Sequence, residues 1–313
     1  GCDENPELSD GLLTAQELQD LEERERVTFR TIHDNGAVLN GEVLNGIRFN
    51  GIRFNGIRFN GIRFNGSLLN SFRRKSNSSK VVAEDPVTHE EYEASELESS
   101  EVELDTVDDS VASTDERVKI DNVVQSISQP DVYFNMVKYK KMPDNIWESM
   151  CHDGNGNPVE AIALRSTWNS TTGVDLDDSD GLTWACRGAA LAKCVEWGYR
   201  RWSTHGGTSL KNYHKACTRM VRGDYCGAGV PHTSNGTPID IADDLGINNH
   251  DAIAGVGGWE IEAKWGPNGA VCLNNPRKTS WTHANVGCSI PYCNNDQDDY
   301  EGALLMSVTQ QTN

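Results

Sequence analysis

Eight of the nine cysteines in this chain fall between residues 151 and 293, and they restrict what it can fold into more than any other feature. They are Cys151, Cys186, Cys194, Cys217, Cys226, Cys272, Cys288 and Cys293, while Cys2 stands alone near the start. No C-x-x-C pair is followed by a second pair, and no histidines recur at i, i+4 beside them, so the spacing does not suit zinc. An even set of thiols without a metal pattern reads as disulfides formed in an oxidising compartment, with the pairing left open. The 313 residues supply enough apolar material for one large domain or two smaller ones around such staples.

Disulfides demand export. The sequence carries no transmembrane run and no leader, which implies a leader removed ahead of Gly1. Gly1-Cys2 followed by an acidic stretch resembles the processing site of a bacterial lipoprotein, and Cys2 is then the residue expected to carry the lipid. The competing reading is a thiol that is free or paired between chains. The expected location is the outer surface or the extracellular space, with a membrane reached only through that lipid. A formal charge of -19 argues against nucleic acid and anionic membrane as partners, because neutralising phosphates needs clustered Lys and Arg.

Residues 1–35 read as a tether or short acidic helix, with Leu8, Leu12, Leu13, Leu18 and Leu21 spaced among acids and a capping-box signal at Thr14 and Glu17. Residues 36–71 then divide into five-residue units, AVLNG, EVLNG, IRFNG repeated, and SLLNS. Leu39, Leu44, Phe49, Phe54, Phe59, Phe64 and Leu69 recur at the unit period. The tract resembles a pentapeptide repeat, in which each unit is one side of a square β-coil of about 20 residues per turn and these side chains point inward. Leu44 would then stack on Phe64 and Phe49 on Leu69. So short a coil must dock on something, and end-to-end stacking with another copy makes self-association an expected property.

Residues 72–117 are strongly acidic, but Val102 and Leu104, and then Val118 and Ile120, alternate with polar residues as half-buried strands do. Tyr92 and Ala94 continue that pattern. The cysteine-rich domain spans 118–295 and a tail spans 296–313. Within the domain Val132–Tyr139 reads as a strand, Leu182–Tyr199 and Leu210–Val221 as helices, and Gly227–Asn249 as loop and short strand. The fold class expected from these elements is α+β: a disulfide-rich mixed domain preceded by a short pentapeptide-type β-solenoid.

Four strings carry a family resemblance: ACRGAALAKCVEWGY (Ala185 to Tyr199), HKACTRMVRGDYCGAG (His214 to Gly229), PHTSNGTPIDIADDLGI (Pro231 to Ile247) and EAKWGPNGAVC (Glu262 to Cys272). Together they resemble consecutive blocks of the ADYC domain, as found in exported proteins and lipoproteins of myxobacterial type. The name stands for Ala-Asp-Tyr-Cys, and here Gly223 takes the place of the alanine. The resemblance implies no particular reaction, substrate or catalytic residue.

Candidate chemistry therefore rests on the residues themselves. A Cys/His hydrolase would use Cys226 and His232, with Asp224 or Asp240 orienting the imidazole. It would leave an odd number of cysteines in the domain and expose a thiolate to oxidation, so a disulfide through Cys226, with His232 capping a turn, is the expected arrangement. A carboxylate-pair hydrolase could draw on Asp175, Asp177, Asp178, Asp180, Asp243 or Asp244. Calcium is the one cofactor the residues suggest, at Asp153, Asn155 and Asn157 and at Asp175, Asp177 and Asp180, with Asx turns as the alternative. Arg187, Arg219 and Arg222 suit ion pairs that pin helix ends, and the Arg222-Gly223-Asp224 tripeptide reads as chance. Trp184, Trp197, Trp202, Trp259, Trp265 and Trp281 suit a supported core, with one or two left to stack on sugars.

The function expected from the sequence is structural or adhesive, at the cell surface or outside the cell, with self-association or another surface protein as partner. A secreted hydrolase of cell-wall polymer or polysaccharide, and a glycan- or calcium-binding surface module, are the alternatives. No catalytic residue is assigned.

Overall fold

The strings Ala161–Arg165 and Leu182–Cys186 are buried at nearly every position, the mark of strands covered on both faces. In the computed structural model they pair antiparallel, with Ala163 opposite Trp184. The structure describes residues 73–84, 88–97, 102–105, 116–141, 146–153, 155–166, 168–169, 172–177 and 182–311, together with strand residues 32–35, 43–44, 47–48, 58–64 and 67–69.

The first sheet runs, in spatial order, Leu182–Cys186, Ala161–Arg165, Tyr133–Lys141, Glu116–Gln125, Val102–Asp105, Arg58–Phe64 and Ser67–Leu69, with Glu148–Ser149 paired beside Tyr133–Lys141. The second runs Ile32–Asn35, Thr237–Asp243, Leu305–Thr309, Glu260–Gly266 and Gly269–Leu273. Every pairing in both is antiparallel. Because strand side chains alternate faces, Ile162, Leu164 and Ala185 enter one core while Ala161, Ala163, Leu182 and Trp184 enter another. The second of these cores is closed by a three-stranded sheet that contributes Val81 and Ala83, followed by Ala94 and Leu97.

The other core joins the two sheets through two short helices, α1 (Ala190–Glu196) and α2 (Lys211–Arg222). Helix α1 packs on the strand Leu182–Cys186, and α2 packs on Glu260–Gly266, Gly269–Leu273 and Leu305–Thr309. Met220, Val221, Ile239, Ile241, Trp265 and Leu305 meet Phe134, Ile162 and Leu164 in this layer. The eight cysteines expected to pair do so: Cys151–Cys186, Cys194–Cys217, Cys226–Cys288 and Cys272–Cys293. Cys194–Cys217 ties α1 to α2, and Cys272–Cys293 lies in a small cluster with Ile261 and Met306 on the far face of the second sheet.

Two expectations are corrected. The fold is mostly β-sheet and not α+β. Leu182–Tyr199, read as one helix, divides into a buried strand and the seven-residue α1, because a short apolar run buried on both faces has no period that separates strand from helix. The expected solenoid is also absent among the described residues. Arg58–Phe64 is one extended strand that turns back antiparallel onto Ser67–Leu69, placing Ile62 opposite Leu69 and Phe64 opposite Ser67. Its other edge pairs with Val102–Asp105. Fewer than two coil turns cannot bury a core of their own, whereas joining the sheet satisfies the backbone directly. Of the proposed coil residues, Leu44, Phe59, Phe64 and Leu69 lie in strands, and Leu39, Phe49 and Phe54 lie outside the described residues, as does Cys2.

Candidate functional site

The Gly-Asp-Tyr-Cys string begins where α2 ends. Gly223 takes the left-handed conformation, φ 59°, that closes the helix, and its N–H donates to Met220 O. Asp224 is fully buried, accepts from the Gly229 N–H at 2.9 Å and pairs with Arg219. The Tyr225 hydroxyl donates to Glu262 Oε1 at 2.6 Å, and burial pushes that phenol well above its usual range. Cys226 is bonded to Cys288. Gly223 and Asp224 thus close and brace the helix end, Tyr225 joins it to the second sheet through Glu262, and Cys226 ties it to the segment at Cys288.

Beneath it, Arg277 donates to both oxygens of Glu262, at 2.6 and 2.8 Å, and its Nη2 also donates to Met220 O at the end of α2. Ser307 donates to Glu262 Oε2 at 2.7 Å, and the Trp265 indole N–H donates to Ser307. Charges this deep need such complete pairing.

The residues weighed for catalysis are spread through this scaffold. The Cys226 sulfur is in a disulfide, and His232 donates from Nδ1 to Gly223 O at 2.8 Å, the turn-capping arrangement. Asp240 accepts from Ala252 N–H at 2.7 Å and lies 3.3 Å from His250 Nδ1, away from Cys226 in role and partners. Asp243 accepts from Leu245, Ile247 and Asn248 backbone N–H groups and from the Tyr199 hydroxyl, and Asp244 accepts from Tyr213. Arg187 pairs with Glu196 and lies over the Phe134 ring, and Arg222 donates to Gly229 O. The Arg222-Gly223-Asp224 tripeptide is buried at all three residues and offers no exposed surface.

At the first calcium candidate, Asp153 Oδ1 accepts from the N–H groups of Asn155 and Asn157, both at 2.8 Å, an Asx turn. At the second, Asp175 pairs with Arg201 at 2.7 Å, while Asp177 pairs with Lys211 at 2.8 Å and Lys215 at 3.0 Å. The Lys211 hydrogen bond, followed by that of Lys215, holds the Asp177 carboxyl down at about 2. Asp178 and Asp180 lie outside the described residues.

An open cleft of about 470 Å³ lies at one end of the second sheet, lined by Ala254, Gly255, Glu260, Ile261, Asn274, Asn275, Tyr292 and Asn295. Asn275 donates to Glu260 Oε2 at 3.1 Å, and Asn274 donates to Asn295 at 3.4 Å. Tyr292 is 69% exposed, and its ring stacks on His283 with centroids 4.0 Å apart and planes 14° from parallel. The Asn274 side chain also accepts from Cys293 N–H, so the Cys272–Cys293 disulfide fixes this wall. Sequence reasoning missed these residues. None of the tryptophans expected for sugar stacking lines the cleft: Trp184, Trp197 and Trp265 are buried, and Trp202, Trp259 and Trp281 are half-buried elsewhere. The usable signal was the Asn- and Asp-rich run from Asn294 to Asp299 beside an aromatic.

The fold and this cleft define a disulfide-supported, mostly β protein with a polar surface groove. The chain belongs to the ADYC domain family, whose match covers residues 94–279, more than half of its length. No curated protein and no solved structure matches it. Among the described residues no helix is long and apolar enough to cross a membrane, and the four disulfides suit an extracellular protein.

Proposed function

We propose that the chain acts outside the cytoplasm as a non-catalytic adhesive module that binds carbohydrate in the Tyr292 cleft. The observation that carries this reading is the exposed Tyr292 ring, held flat by His283 beside the side chains of Asn274, Asn275, Asn295 and Glu260. A fixed aromatic face packs on the apolar face of a sugar ring, and side-chain amides and a carboxylate suit its hydroxyl groups. A single carboxylate among the lining residues favours binding over hydrolysis, since glycosidic cleavage ordinarily needs two. Export, and attachment through a lipid on Cys2, complete the proposal and would place the cleft at the cell surface.

Titration of the purified protein with cell-wall and capsular oligosaccharides, followed by calorimetry, tests it. Tyr292→Ala is expected to weaken binding about tenfold or more without moving the melting temperature, as loss of one stacking face should. Absence of binding to every oligosaccharide in the panel overturns the reading, and release of reducing ends would replace it with hydrolysis.

A further inference from the structure

Lys264 stands on the strand Glu260–Gly266, opposite Cys272 on one side and Met306 on the other, and is 0% exposed. The neighbouring disulfide Cys272–Cys293 brings the next residue, Asn294, directly over its ammonium. Lys264 Nζ donates to Asn294 Oδ1 in a short contact, to Glu301 Oε2 at 2.7 Å and to Asp296 O at 3.3 Å. Glu301 Oε2 also accepts from the Asn294 backbone N–H at 3.0 Å, and the Asn294 side-chain N–H donates to Asp299 Oδ2 at 2.7 Å. A buried amine, a carboxamide and a carboxylate are thereby held together by elements that the disulfide and the sheet fix in place.

We propose that Lys264 and Asn294 join in an intramolecular isopeptide bond, with Glu301 as the catalytic residue for proton transfer. Glu301 accepts a proton from Lys264 Nζ, and the freed amine attacks Asn294 Cγ. Because Nζ already contacts Oδ1, a small side-chain rotation carries it onto the face of the carboxamide. The Nζ–Cγ bond forms and the Cγ–Nδ2 bond breaks. The two protons given up by the ammonium leave with Nδ2 as an ammonium ion, one relayed through Glu301, and nothing is oxidised or reduced. Asp299, hydrogen-bonded to Nδ2, positions the leaving nitrogen. Asn294 is exposed, so the product escapes to solvent and the reverse reaction is lost. The bond would clamp the segment carrying Tyr292 and Asn295 to the second sheet by a link that reductants do not open.

The test is mass spectrometry of the reduced, intact protein followed by proteolytic mapping. The expected result is a deficit of about 17 Da, one ammonia, located in a branched peptide that joins Lys264 to Asn294. Glu301→Gln, with its melting curve checked, is expected to restore the full mass and the linear peptides. Linear Lys264 and Asn294 peptides in the wild-type protein overturn the proposal, as does a deficit mapped to any other asparagine. A folded Glu301→Gln protein that still carries the branched peptide removes Glu301 from the chemistry.

Discussion

Arg277 and Glu262 form a two-pronged ion pair in which neither side chain reaches solvent, Nε to Oε1 at 2.6 Å and Nη2 to Oε2 at 2.8 Å. The pair connects the carbonyl end of α2 to the middle of the second sheet, and Tyr225 of the family motif joins it through Glu262. Its geometry sets the first expectation. Arg277→Ala or Glu262→Ala strands a buried charge and is expected to cost about 3–5 kcal/mol. Replacing both by apolar residues, Arg277→Met with Glu262→Leu, should cost less than the sum, because no charge is left alone. Urea unfolding of the three variants measures this.

The glycines around the motif rank differently. Alanine at Gly223, the residue the family name carries there, enters a left-handed position and meets His232 O at 3.3 Å. Gly223→Ala is expected to cost about 1–2 kcal/mol. At Gly227 an added Cβ would lie 1.8 Å from Asn268 O, so the two backbone segments must part, and Gly227→Ala is expected to be the more damaging of the two. Denaturant midpoints of the two variants give the ranking, and the reverse order would show that the 268–269 turn yields easily.

Stability is expected to fall with acidity through His214. Its ring is buried, its Nε2 contacts Leu191 O at 3.0 Å, and burial drives its pKa from 6.5 down to about 3. The folded value lies below the unfolded one, so the unfolded chain takes up the proton first as the pH drops. The contribution is complete above about pH 6.5 and is lost below it, by up to about 1.4 kcal/mol per pH unit until the folded ring titrates. His214→Gln should remove that portion of the slope in unfolding measurements between about pH 4 and pH 7.

The disulfides are expected to contribute according to the loops they close. Cys226 and Cys288 are 62 residues apart and Cys194 and Cys217 are 23 apart, which by chain entropy corresponds to about 4 and about 3 kcal/mol. Paired Cys→Ser variants compared by thermal unfolding test the order. Thiol titration of the protein unfolded without reductant should find none of the eight C-terminal cysteines reactive.

Much of the strand content was legible. Alternation at Val118 and Ile120 and the run from Val132 to Tyr139 correspond to Glu116–Gln125 and Tyr133–Lys141, and the helical face from Leu210 to Val221 corresponds to α2. What was not legible depends on neighbours distant in the chain. Leu182–Cys186 is a strand because Ala161–Arg165 pairs with it and apolar layers cover both its faces. Within the five-residue period from 36 to 71 Arg58–Phe64 pairs on one edge with Ser67–Leu69, but its other edge needs a partner from outside the tract, which the strand Val102–Asp105 supplies.

The amino-acid sequence by itself determined that the chain is acidic, that its eight C-terminal cysteines pair, that no zinc pattern links them, and that it carries the blocks of its family. These are properties of composition and short-range order, which need no knowledge of what folds against what. The tertiary structure alone decided which cysteines meet, that the protein is mostly β-sheet, and that Tyr292 stands exposed beside three asparagines and Glu260. It also decided that Lys264 lies buried under Asn294, because strand register and a disulfide across 21 residues of chain bring the two together. Such proximity is set by packing across the whole sheet and leaves no local pattern to read.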